Sequence, residues 1–99
     1  MGKFHLFWRL NETTLPVDAK ERGGGWGLLM AMIKQDMDNG LVKDWGAFTS
    51  EGRGYCIVEG TTLDVMKMTE QYNPYVFFEV KPVSPFEEVN ELIQHLTGK

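Results

Sequence analysis

Two aromatic strands, one near each end of the chain, restrict the fold more than any other feature of the sequence. They read Phe4-His5-Leu6-Phe7-Trp8-Arg9-Leu10 and Tyr75-Val76-Phe77-Phe78-Glu79-Val80-Lys81. Successive side chains of a strand point to opposite faces of the sheet. Phe4, Leu6, Trp8 and Leu10 therefore share one face, as do Val76, Phe78 and Val80. These sets are apolar and suit a cover of helices. The opposite sets are His5, Phe7, Arg9 and Tyr75, Phe77, Glu79. They mix rings with charges, which suits an interface or a pocket better than bulk solvent.

At 99 residues the chain is expected to form a single domain, residues 1–99. Hydrophobic content of 42% and charged content of 24% fit a soluble globular protein. The net charge is −4 with no run of Lys or Arg, which speaks against nucleic acid as a partner. No apolar stretch approaches the ~20 residues a membrane helix needs. A strand begins almost at once, so no signal peptide is expected. Cys56 is the only cysteine and no internal disulfide can form, so the expected compartment is the cytoplasm. His5 and His95 share no ligand spacing; neither a metal nor a cofactor is expected.

The pattern between the two strands alternates helix and strand. After strand Lys3–Leu10 comes a polar turn, Asn11 to Pro16, then a glycine-rich stretch from Asp18 to Gly27 within which a helix begins. Leu28, Leu29, Met32, Ile33 and Asp36 or Met37 follow helical spacing, and Asn39-Gly40 ends that helix. Leu41 to Thr49 and Tyr55 to Glu59 read as strands around a turn at Ser50 to Gly54. Thr61 or Thr62 caps a second helix, with Val65, Met68, Thr69 and Tyr72 on its inner side, and Asn73-Pro74 stops it. After the last strand, Ser84-Pro85-Phe86-Glu87 reads as a capping box with Ser84 at the cap. Phe86, Val89, Leu92, Ile93 and Leu96 give the terminal helix an apolar stripe.

The order is βαββαβ plus a terminal helix, an α+β chain of the ferredoxin-like kind. Right-handed crossovers place both central helices on one sheet face, with strand order 4-1-3-2. The other face should be polar if it meets water. Instead it carries Phe7, Phe77, Tyr75, Tyr55 and Ile57. The simplest cover is a second copy related by a two-fold axis, so a homodimer packed sheet to sheet is expected.

A resemblance follows from Phe4-His5, from Gly40-Leu41 leading to Trp45, from Gly52-Arg53-Gly54-Tyr55-Cys56-Ile57-Val58-Glu59 and from Pro74-Tyr75-Val76-Phe77-Phe78-Glu79-Val80. With these segments the chain resembles the dimeric α+β barrel superfamily, and within it the small muconolactone isomerase-like proteins. The resemblance runs from Lys3 to Val83 and rests mainly on structural motifs. It implies a dimer and cofactor-independent proton transfer next to a carbonyl. Trp45-Gly46-Ala47-Phe48 followed by Gly52-Arg53-Gly54-Tyr55 also resembles a group of small prokaryotic proteins of unknown function, which implies no activity.

His5, Arg9 and Glu79 form the leading constellation for chemistry. Antiparallel pairing of the end strands would set His5 near Glu79 and Arg9 near Tyr75, and a two-residue slip keeps the same face. A His held by a carboxylate is a general base near neutral pH. Arg9 suits a substrate carboxylate. The alternative is a set of cross-strand pairs along a dimer seam. Asp44, Trp45, Arg53 and Tyr55, with Phe7, Tyr75 and Phe77, are candidates to line a cavity for a small carboxylated or aromatic molecule, or else to pack as ordinary core and interface. Gly23-Gly24-Gly25-Trp26-Gly27 lacks phosphate-loop spacing and reads as mobility or close packing at a helix entrance, with Arg22 beside it free to meet a carboxylate. Cys56 is expected to point to the helices with Val58 and to be inert. The expected function is small-molecule binding between two sheets, with proton-transfer isomerisation as its catalytic version. The other reading is a non-catalytic sensing or dimerising module.

Overall fold

The computed structural model describes residues 2–98. Four strands, β1 (Gly2–Leu10), β2 (Val42–Ala47), β3 (Arg53–Gly60) and β4 (Val76–Val83), alternate with α1 (Ala19–Asp38) and α2 (Thr62–Gln71) and are followed by α3 (Phe86–Leu96). A short 3-10 turn, Glu12–Thr14, links β1 to α1. The strands form one antiparallel sheet in the order β2-β3-β1-β4, which is the expected 4-1-3-2 counted from the other edge. This α+β arrangement is compatible with a ferredoxin-like fold.

Alternation sets the layers. Phe4, Leu6 and Trp8 of β1 and Cys56 and Val58 of β3 are buried, while His5, Phe7, Tyr55 and Ile57 between them are only half-buried. The buried set packs against Ile33 of α1, Val65 and Met68 of α2, and Tyr72 just beyond it. Cys56 lies in this core as expected, fully enclosed.

α1 is longer than its apolar spacing indicates. Asp18 caps it by accepting a hydrogen bond from the Glu21 N–H at 3.1 Å, so the helix starts before the glycine run and passes straight through it. A Cβ added at Gly23, Gly24, Gly25 or Gly27 would touch nothing, so close packing does not explain these glycines. Arg22 donates to the carbonyls of Pro16 and Val17 instead of meeting a carboxylate. Gly40, at φ 81°, turns the chain out of α1 as expected. α2 opens on a reciprocal cap. The Thr61 side chain accepts from the Asp64 N–H, and the Asp64 carboxylate accepts from the Thr61 N–H at 2.9 Å.

The capping box expected at Ser84 is not formed. Pro85 occupies the cap position and makes no side-chain cap bond, which leaves Ser84 one residue too early to reach the first free N–H groups. The apolar stripe of α3 is present but uncovered. Phe86 is 78% exposed and Leu96 73% exposed, and no residue of α3 belongs to the core or packs against it. The radius of gyration is 16.7 Å, against about 13 Å for a compact chain of this length. No described helix is long and apolar enough to cross a membrane.

Candidate functional site

The open face of the sheet gathers most of the residues singled out in the sequence. The register sets His5 opposite Ile57 and Lys81, Phe7 opposite Tyr55 and Glu79, and Arg9 opposite Arg53 and Phe77. Directly opposed residues of an antiparallel pair project to the same side. The pairing of β1 with β4 is thus two residues away from the one that would join His5 to Glu79 and Arg9 to Tyr75, on the same face. Glu79 binds Lys81 at 3.1 Å. The nearest rings to His5 are Phe7, with centroids 4.5 Å apart, and Tyr55, edge-on at 6.0 Å.

A groove of about 580 Å³ lies at the Arg9 end of this face. Its walls include Phe7, Arg9, Glu51, Arg53, Phe77 and Glu79. The Arg9 guanidinium sits 4.6 Å above the Phe77 ring, a cation–π contact worth about 0.5–1 kcal/mol at an exposed site. Arg9 and Arg53 are exposed, face each other on neighbouring strands, and make no ion pair among the described residues. Like charges placed directly opposite destabilise a strand pair. An anion between them would reverse that cost.

Asp44 and Tyr55 form a second polar pair on the same face. The Tyr55 hydroxyl donates to Asp44 Oδ2 at 2.9 Å, and Asp44 Oδ1 accepts from the Trp45 N–H at 2.9 Å. The bond to Asp44, then partial desolvation and the carboxylate charge, raise the Tyr55 pKa. The phenol therefore stays protonated at neutral pH and serves as a donor, not a base. Tyr75 is exposed just before β4 and does not line the groove.

Trp45 lies on the other side of the sheet. A register shift between Val42 and Asp44 sets Val42 opposite Val58 but Asp44 opposite Ile57. The extra residue, Lys43, turns Asp44 out and Trp45 in. Trp45 then stacks on Trp8 with centroids 5.4 Å apart and planes within 6°. Trp8 donates its Nε1–H to the Gly46 carbonyl at 3.2 Å.

Sequence reasoning missed one buried pair. Asp36 of α1 is buried and accepts a 2.8 Å hydrogen bond from the Tyr72 hydroxyl. Burial, then Asp36, push the Tyr72 pKa well up. Burial, then the Asp36 charge, push the Cys56 thiol up to about 12. The folded chain keeps this proton to higher pH than an unfolded thiol near 9.0. The stabilisation is complete below that value and is lost as pH rises towards 12. We expect Cys56 in the folded protein to resist a thiol reagent such as Ellman's at pH 8 and to react at once in denaturant. Rapid labelling of the folded chain would place the thiol outside the core.

The chain matches no protein-family model, and no curated protein is similar enough to count as a relative. The α+β fold is compatible with a ferredoxin-like arrangement, and no family or homologue supports the finer resemblance to muconolactone isomerase-like proteins. Among the described residues, no group of three or more His, Cys, Asp or Glu gathers in a metal-binding arrangement.

Proposed function

We propose that this protein binds a small carboxylated aromatic molecule on the open face of its sheet, and that it works as a two-fold dimer with those faces turned towards each other. The observation that carries the reading is the opposed pair Arg9 and Arg53 beside the exposed Phe77 ring. Two guanidiniums suit a carboxylate, and the part of the Phe77 ring that Arg9 leaves uncovered offers an apolar contact. Lys81 holds Glu79, so the two arginines meet only Glu51 as a free opposite charge in the groove. The half-buried row His5, Phe7, Tyr55 and Ile57 supplies the apolar contact for the second copy.

Binding has more support than proton transfer. His5 and Arg9 are four residues apart on one strand, roughly 13 Å at ~3.3 Å per residue. A small acid held at Arg9 does not reach the imidazole from the same subunit. His5 and Glu79 as a catalytic pair would also need Glu79 to leave Lys81. The reading is thus closer to a ligand-sensing module than to an isomerase.

The test is calorimetric titration of the full chain with benzoate, salicylate and cinnamate. At least one should bind, and Arg53→Ala should weaken it about tenfold or more, since a hydrogen bond to a charged group contributes about 1.5–3 kcal/mol. Absence of binding across the panel, or equal affinity in the variant, would remove the anion site.

A further inference from the structure

All three tryptophans of the chain, Trp8, Trp26 and Trp45, line one cavity on the helix side of the sheet. It lies between the middle of α1, from Trp26 to Ile33, and the sheet, with Phe48 and Phe78 adding to its aromatic wall. We propose that this cavity binds a neutral, planar aromatic molecule, at a site distinct from the anion groove with which it shares Trp8, Phe48 and Phe78.

Its size is about 420 Å³, within the roughly 300–1,000 Å³ of small-molecule pockets. The Trp8–Trp45 stack, two nearly parallel indoles with centroids 5.4 Å apart, forms part of its wall. A planar ring packed against aromatic walls gains stacking as well as burial. Trp26 lines the cavity from α1 and is 44% exposed.

The polar groups decide the charge of that guest. The Trp8 Nε1–H is already given to Gly46, and the Tyr72 hydroxyl is given to Asp36. No Lys, Arg, His, Asp or Glu lines the cavity. A charged ligand would lose its hydration and find no counter-ion. A neutral ring loses little, and Ser50 is the one further polar side chain besides the indoles and Tyr72 in the lining. The competing occupant is the bare stripe of α3 from a second copy. A whole helix measures about 10–12 Å across with its side chains, so a cavity of about 420 Å³ takes no more than about one turn of it.

The test uses the full chain and N-phenyl-1-naphthylamine, a neutral fluorescent probe, at several protein concentrations. Saturable binding at one probe per chain is expected, with quenching of the tryptophans. Excess benzoate should not displace the probe. Trp26→Ala should weaken binding about tenfold, because it removes one wall and a stacking partner. Trp26 belongs to no part of the core, and alanine is the better helix former, so circular dichroism should show an unchanged fold. Four outcomes would overturn the site. They are no saturable binding, equal affinity in Trp26→Ala, displacement by benzoate, and probe affinity that falls as self-association rises. The last would give the cavity to α3.

Discussion

Gly54→Ala is expected to lower stability by about 3 kcal/mol or more, the upper end for overpacking in a core. A Cβ at this position would lie 2.6 Å from the Trp8 ring and would run into the Gly46 carbonyl oxygen. The carbonyl belongs to the backbone of β2 and moves only if the β2–β3 ladder opens. The indole retreats only by giving up its bond to Gly46 and its stack on Trp45. With net stabilities of about 5–15 kcal/mol for ordinary domains, such a loss removes a large share of the total. Urea unfolding followed by tryptophan fluorescence measures it, since Trp8 itself reports the damage. Gly24→Ala is the matched contrast. Its Cβ meets nothing, and the change should stabilise α1 by up to about 1 kcal/mol. If the two variants behaved alike, the close approach of β3 to Trp8 would be wrong.

The second large effect concerns the dimer. Phe7 is half-buried by its neighbours on the open face, with Tyr55 and Glu79 opposite it and His5 against its ring. In a sheet-to-sheet dimer it lies near the middle of the contact, where the residues that dominate binding cluster. Phe7→Asp would bring a carboxylate from each copy into the same seam and desolvate both. Loss of a dominant contact costs 2 kcal/mol or more, or about thirtyfold in the dissociation constant. Light scattering after size exclusion should give twice the 11.3 kDa chain mass for the parent protein. The variant should give the single mass, with its circular dichroism retained. A parent protein that runs as a monomer, or a variant that stays dimeric, would show that this face is not the seam.

Alternation along β1 and β3 made the two faces of the sheet readable, because every second residue there is buried as the pattern requires. Gly40 and the Asn73-Pro74 pair marked the ends of two helices for local backbone reasons. The bulge at Lys43 was not readable. It is a backbone event that no residue type in Val42–Ala47 announces, yet it decides that Trp45 and not Asp44 turns to the core face. The two-residue offset between β1 and β4 was equally hidden, because either register keeps the same faces and only side-chain neighbours distinguish them. The Asp36–Tyr72 bond joins residues 36 positions apart and depends on how α1 crosses the sheet. The stripe on α3 announced an amphipathic helix but not what covers it. Periodicity describes a surface and says nothing of its neighbour.

The four glycines of α1 carry a consequence for how the tryptophan cavity exchanges its contents. Each glycine inside a helix costs about 1 kcal/mol relative to alanine, and none of these recovers the cost by packing. The turn that holds Trp26 is therefore the part of α1 most ready to fray. Its brief unwinding leaves the sheet intact and swings one wall of the cavity aside. A guest too large for the resting opening can then enter and leave without unfolding the domain, at a rate set by the helix and not by the strands.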